Sequence, residues 1–333
     1  GVMRMRALIA SRPGGPEVLE WVEVDLPEVG SEEVRVRVRA AGVNHADLLQ
    51  RSGLYPPPPG WDPRRMGLEY AGVVEQAGER CVLRRPGDRV MGIVAAGACA
   101  EFVTVPERET LPVPDALTDA DAAATPEAFL TAFRALWEEG ALAPGQAVLS
   151  RVATSTVGMA AIQLAHVAGH PVAGTGRDPD RLHSLRDLGL DHPLVEGPEM
   201  MQRARAALGR APQLVLDLWG GGRLAENLAL LADEGCLVVV GLLGGARDTL
   251  DLASLLMRRQ SIRTLTMRNQ PIERRIALVR RFEREALPLL AAERLGIPVA
   301  QVYSMADAAQ AHRDMATGHR PGKLVLSLSC GAS

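Results

Sequence analysis

Two patterns of apolar placement divide the chain. Before Thr118, apolar and polar residues tend to alternate, most strictly in EVRVRVRA at 33–40. A period of two predicts half-solvated antiparallel strands. Residues 5–11 and 19–24 read as paired strands joined by the turn Pro13-Gly14-Gly15-Pro16. Residues 67–74 and 100–105 are further strands, and Pro86-Gly87-Asp88 turns the chain into another. Between them, AGVNHADLLQR enters a short helix, and Pro56 to Pro59 make a rigid extended loop.

From Thr118 the period lengthens to that of helices, interrupted by short apolar runs. Helices are predicted over 119–124, 126–139, 157–168, 181–188, 200–208, 223–232 and 253–259. Strands are predicted over 146–152, 171–176, 192–196, 213–218, 236–243 and 261–267. Six strands separated by helices predict a doubly wound parallel sheet. One long helix is expected over 273–292, and the tail from Val302 to Leu328 returns to the β-rich part. The expected domains are therefore 1–124 with 268–333, and 125–267.

The organising stretch of the second domain is QAVLSRVATSTVGMAAIQLAHVAGHPVAGTGRDPDR at 146–181. It makes one strand–helix–strand unit, whose first turn usually binds a dinucleotide through glycines and free helix N–H groups. Here that turn reads Arg151-Val152-Ala153-Thr154-Ser155-Thr156-Val157-Gly158, and Gly158 is its only glycine.

Composition narrows the classes. At 333 residues, 47% hydrophobic and 23% charged, this is an ordinary globular chain with room for two cores. A net charge of −3 argues against nucleic acid or an anionic membrane as partner. Cys81, Cys99, Cys236 and Cys330 form no CxxC pair, so reduced thiols in a cytoplasm are expected. GVMRMRALIA is charged too early for a signal peptide, and no apolar run reaches membrane-spanning length.

The stretches AGVNHADLLQRSGLYPPPPG, GLEYAGVVEQAG, PGDRVMGIVAAGACAEFVTVP, VGMAAIQLA, LDLWGGGRLAENL, VVVGLLGG and GKLVL occur in order along nearly the whole chain. As a set they resemble the zeta-crystallin-like quinone oxidoreductases of the medium-chain dehydrogenase/reductase superfamily. The resemblance implies an α/β protein with a GroES-like β-rich domain, a Rossmann domain and an active-site cleft between them. It also implies a homodimer paired through the last Rossmann strand.

Zinc alcohol dehydrogenases of that superfamily place a cysteine and a histidine where this chain has Asn44 and Leu68. A catalytic zinc takes three thiolate, imidazole or carboxylate ligands, so no metal is expected. By the resemblance, Asn44 and Tyr55 line the substrate cleft as the catalytic candidates. For Asn44 the alternative is a turn role, and for Tyr55 packing on the proline run. Gly241, Leu242 and Leu243 match the family's segment beside the nicotinamide. Thr131 either faces the nicotinamide amide or sits in its helix core. Lys323, the only lysine, falls in the closing GKLVL and is assigned to the cofactor.

A carboxylate closing the second strand would select NAD. This chain has Arg177 there, and Arg181 stands where relatives keep a lysine, so NADPH is favoured. The alternative is a solvated helix-start pair, and Asp178 counts against the preference. Glu196 replaces a tyrosine that helps relatives hold the nucleotide. The family's pattern has glycines where this chain has Val152, Ala153 and Thr156, while Thr154, Ser155, Thr156, Val157 and Gly158 remain as phosphate contacts. The expected activity is an NADPH-dependent, zinc-independent reductase of small electrophiles, quinones or α,β-unsaturated carbonyls. Two alternatives stand beside it: an enoyl or enone reductase of a biosynthetic pathway, and an auxiliary or redox-neutral protein with weakened cofactor binding.

Overall fold

The computed structural model describes residues 2–328. The chain forms two compact units, Gly1–Glu127 with Met267–Ser333, and Ala128–Thr266.

In the first unit β1 (Arg4–Ala10) and β2 (Leu19–Asp25) pair as an antiparallel ribbon, Arg4 opposite Asp25 and Ala10 opposite Leu19. β3 (Glu33–Val43) buries Val34, Val36, Val38 and Ala40 and turns the intervening arginines outward, as its alternation requires. α1 (His45–Arg51), β4 (Glu69–Ala77), β5 (Arg89–Ile93), β6 (Phe102–Pro106), β7 (Leu111–Pro112) and α2 (Asp119–Ala123) follow. β6 starts later than its apolar pattern predicts, because Ala100 makes an isolated bridge to Ala7 instead.

α3 (Pro126–Phe133) leads into the second unit and continues as a π-helix over 134–139, so the predicted single helix changes its winding halfway. Then come β8 (Val148–Arg151), α4 (Thr156–Val167), β9 (Val172–Gly176), α5 (Pro179–His183), β10 (His192–Val195), α6 (Met200–Leu208), β11 (Leu214–Asp217), α7 (Leu224–Leu230), β12 (Cys236–Val239), α8 (Leu252–Arg258) and β13 (Ser261–Thr264). The six strands are parallel, in the order β10-β9-β8-β11-β12-β13. The sheet therefore reverses direction beside β8, and ligands of such sheets lie at the strands' carboxyl ends near that point.

The chain then returns to the first unit through α9 (Ile272–Glu285), α10 (Leu287–Ala291), β14 (Val299–Ser304), α11 (Ala308–Thr317) and β15 (Lys323–Ser327). The single long helix expected over 273–292 breaks at Ala286, because Pro288 has no N–H to continue it. β15 pairs antiparallel with β3 and completes the seven-stranded sheet. Val34, Val36, Tyr70, Val90, Met305 and Leu324 lie in its core, all fully buried.

Candidate functional site

The turn after β8 is built by its own side chains. Val152 sits at φ +62°, the left-handed region, where a β-branched residue is strained by roughly 1–3 kcal/mol. Ser155 caps α4: its Oγ accepts from the Gly158 N–H at 3.0 Å and donates to the Val152 carbonyl at 2.9 Å. That hydroxyl is therefore engaged within the turn. Gly158 lets the helix approach, since a Cβ there would lie 2.6 Å from the Val152 oxygen. Thr156 is the first residue of α4, so the left-handed conformation belongs to Val152 rather than to Thr156. The Thr154 and Thr156 hydroxyls and the Thr156 and Val157 amides have no partner among the described residues.

Beneath the turn lies Arg151, fully buried. It donates to Thr175 Oγ1 at 3.2 Å, to Asn227 Oδ1 at 2.7 Å and to both Glu196 oxygens at 2.9 and 3.0 Å, and it pairs with Glu226 at 3.0 Å. Glu196 also pairs with Arg223 at 3.4 Å, and burial lowers the pKa of that guanidinium. The residue replacing the family's tyrosine is thus an ion-pair partner within this unit.

At the end of β9, Asp178 caps α5 by accepting from the amides of Asp180 at 3.0 Å and Arg181 at 3.4 Å. One oxygen of its carboxylate, Oδ1, is thus engaged in the cap. Arg177 is exposed, and its guanidinium lies 5.0 Å from the centre of the Trp219 ring; Arg223 lies over the same ring at 4.3 Å. Arg181 is half-buried at the first turn of α5. Past β12, Gly241 would crowd Leu218 if it carried a Cβ, and Leu242 and Leu243 are exposed. This loop is laced to the one after β11: the Gly244 N–H donates to the Trp219 carbonyl at 2.7 Å and the Gly221 N–H to the Gly245 carbonyl at 2.8 Å. Thr131 is buried in α3.

In the first unit Asn44 precedes α1, its N–H donating to Asp47 Oδ2 at 2.8 Å. Its side-chain amide donates to Glu69 Oε2 at 2.6 Å and accepts from Lys323 Nζ at 2.7 Å. Lys323 also reaches Glu69 at 2.7 Å, and both are buried. The ammonium of Lys323 is thus buried and paired within the first unit. Asn44 joins that triad through its side-chain amide. Burial, with the charge of Glu69 added, pushes the Asp47 carboxyl up to about 6 against the bond from Asn44.

Tyr55 is held by Arg268, a residue that no motif in the sequence marks. The Arg268 guanidinium lies 4.2 Å from the centre of the Tyr55 ring and donates to its carbonyl at 2.7 Å. Gln50 Oε1 accepts from Arg268 at 2.6 Å and the Ala95 carbonyl at 3.1 Å. The Tyr55 phenol itself has no partner among the described residues, so the loop tyrosine presents its oxygen while its ring is fixed. No group of three His, Cys, Asp or Glu among the described residues is placed to hold a metal. No helix among them is long and apolar enough to cross a membrane.

Comparison with known proteins fits this architecture. Residues 30–115 match the alcohol dehydrogenase GroES-like domain model, and residues 156–284 the zinc-binding dehydrogenase model. A solved NAD-dependent alcohol dehydrogenase is 30% identical with a TM-score of 0.83, covering 97% of this chain and 100% of that one. The chain belongs to the medium-chain dehydrogenase/reductase superfamily, in its quinone oxidoreductase-like branch. Within the superfamily, a Pseudomonas syringae quinone oxidoreductase superposes with a TM-score of 0.85 at 27% identity, covering 97% of this chain and 99% of that one. A mycobacterial protein solved in complex with NADPH gives 0.85 at 29% identity, with the same coverage. Human synaptic vesicle membrane protein VAT-1 homolog is 32% identical over 264 residues, 78% of this chain and 64% of that protein. Erythronolide synthase EryA2 of Saccharopolyspora erythraea is 41% identical over 213 residues, 63% of this chain and 6% of that protein. The chain thus spans less than two thirds of these curated superfamily relatives.

A dinucleotide, the group this superfamily fold implies, fits the donor set described. Two free hydroxyls and two free amides gather at the start of α4, and an exposed guanidinium follows β9. This is the chemistry that a pyrophosphate and a further phosphate require.

Proposed function

We propose that the chain is an NADPH-dependent, zinc-independent reductase of quinones or α,β-unsaturated carbonyls. The observation that carries this reading is the end of β9, where Arg177 and Arg181 follow the strand while Asp178 is occupied in capping α5. Two guanidiniums suit a ribose 2′-phosphate, and Asp178, the acid that would favour the ribose diol of NAD, has one of its two oxygens engaged in the cap. Thr154, Thr156 and the first amides of α4 would hold the pyrophosphate. Bound NADPH would supply a hydride from its nicotinamide. Tyr55, its ring fixed by Arg268 and its phenol unpartnered, would orient the acceptor's oxygen and deliver the proton. A small-molecule electrophile is the partner, and a second copy of the chain completes a homodimer.

A second reading has the same cofactor and an enoyl acceptor in a biosynthetic pathway. The 41% identity to an erythronolide synthase favours it. A third, an auxiliary or redox-neutral protein, is favoured by the strain at Val152, which a tight phosphate turn would ordinarily avoid with glycine.

Titration with NADPH and NADH, followed by nicotinamide fluorescence, tests the reading. NADPH should bind at least tenfold more tightly. Changing Arg177 and Arg181 together to alanine should remove that preference, since each charge-assisted contact is worth roughly 1.5–3 kcal/mol. Equal weakening of both cofactors would overturn the phosphate assignment, and no binding of either would favour the third reading. Turnover of a benzoquinone against a crotonyl thioester separates the first two.

A further inference from the structure

A cavity of about 180 Å³ opens in the first unit, and none of the residues named for cofactor and acceptor lines it. Val94, Phe102 and Val103 give it an apolar wall, Trp61 stands at its side, and Arg65 and Thr104 bring polar atoms to it. The guanidinium of Arg65 has no hydrogen-bond or ion-pair partner among the described residues, and burial lowers its pKa. The acid beside it, Asp62, is taken up by Arg64, which it meets at 3.0 Å. The Thr104 hydroxyl is also buried without a partner. Asp62 acts on Arg65 through its charge but makes no ion pair with it, so a ligand carboxylate would offset the remaining cost of burying this cation. Arg37 lies over the Phe102 ring at 5.0 Å and adds to the positive field, while Arg35, over the same ring at 5.9 Å, is paired with Glu75 at 2.8 Å.

We propose that this cavity is a binding site for a small organic carboxylate, its anionic end on Arg65 and its apolar body against Phe102 and Trp61. The volume lies below the roughly 300–1,000 Å³ of pockets for drug-sized ligands, so the occupant carries one ring or a short chain. The site does not depend on the cofactor reading, because every lining residue lies between positions 27 and 104.

Benzoate is the probe, and benzamide is its neutral counterpart of the same shape. Trp61 is 42% exposed, so its fluorescence should report occupancy, and calorimetry of Trp61→Phe assigns the signal. Benzoate should bind saturably in the millimolar range, with benzamide at least about tenfold weaker. Arg65→Met should lose about tenfold or more in benzoate affinity, Arg65→Lys less, and Thr104→Val a few-fold. Circular dichroism and urea unfolding of each variant show whether it remains folded. Failure of benzoate to saturate at about 50 mM, or equal affinity in wild type and a folded Arg65→Met, would overturn the proposal. Equal binding of benzoate and benzamide would make the cavity merely apolar and overturn the carboxylate assignment.

Discussion

Arg151, at the end of β8, meets Glu196 just past β10 at 2.9 Å, so one buried guanidinium reaches beyond the neighbouring strand β9. On the way it bonds Thr175 of β9, and on its other side Asn227 of α7. Four elements of the second unit are tied at the point where the parallel sheet reverses direction. Any ligand at that crevice rests on an ionic floor rather than an apolar one.

Removing the guanidinium should cost more than its own bonds, because it leaves Asn227 Oδ1 without its donor and Glu196 with only the longer pair to Arg223 at 3.4 Å. Arg151→Met is expected to destabilise the protein by about 3–5 kcal/mol. The double variant with Glu196→Gln should be less damaged than the sum of the two singles. Urea unfolding followed by circular dichroism measures both. A change below about 0.5 kcal/mol in Arg151→Met would show that the network contributes nothing net.

Much of this architecture was legible in the chain itself, and the exceptions have a common cause. The alternation of EVRVRVRA specified β3, and the helix–strand repeat from Thr118 specified a parallel sheet, because both signals are local periods. Ser155 as a cap was less visible, since a serine before a helix is equally a phosphate ligand until its two partners are known. Arg268 left no signal at all, as its partner Gln50 lies 218 positions away. The pairing of Lys323 was invisible for the same reason: its partners, Asn44 and Glu69, are remote in sequence, and only folding brings them together.

Asp47 gives a pH dependence with a definite sign. Burial raises its folded carboxyl from 3.8 to about 6, so the folded state holds a proton that the unfolded chain has released. This contribution is fully present below the unfolded pKa and is lost as pH rises through the folded value. Stability should therefore fall between about pH 4 and 6, by on the order of 3 kcal/mol from this group. Asp47→Asn, which keeps an oxygen for the Asn44 N–H, should flatten that fall. Urea midpoints at half-unit pH steps test it, and an unchanged slope in the variant would remove Asp47 as the cause.

The strain in the dinucleotide turn belongs to Val152. Val152→Gly should stabilise the fold by about 1 kcal/mol, because glycine adopts the left-handed conformation without a clashing Cβ. Thr156→Gly should do the opposite, since it places glycine in the first turn of α4 and deletes a free hydroxyl. If that hydroxyl binds phosphate, the same variant also weakens NADPH by about fivefold. Tighter NADPH binding in Thr156→Gly would reverse the assignment and make the threonine an obstruction. Thermal unfolding and cofactor titration of the two variants separate fold strain from ligand contact.

The last strand of the parallel sheet, β13, pairs only with β12, and its other edge is open with three of its four residues exposed. Open edges invite pairing with another chain unless they are covered or charged. Beside it, α8 buries none of its residues, and Leu252, Leu256 and Met257 are 68%, 76% and 73% exposed. Leu252 and Leu256 are four apart and share one helical face, with Met257 on the adjoining side. A second copy related by a two-fold axis would cover both features, adding its own β13 to the sheet edge and its own α8 to the apolar face. Light scattering at about 10 µM should then give twice the chain mass, since a 1 µM dissociation constant corresponds to −8.2 kcal/mol. Leu256→Glu with Met257→Glu should yield monomers, because charges would face each other across the axis in an apolar patch. A wild-type monomer would leave the edge strand without the partner proposed for it. A dimer unaffected by the double substitution would move the interface to another surface.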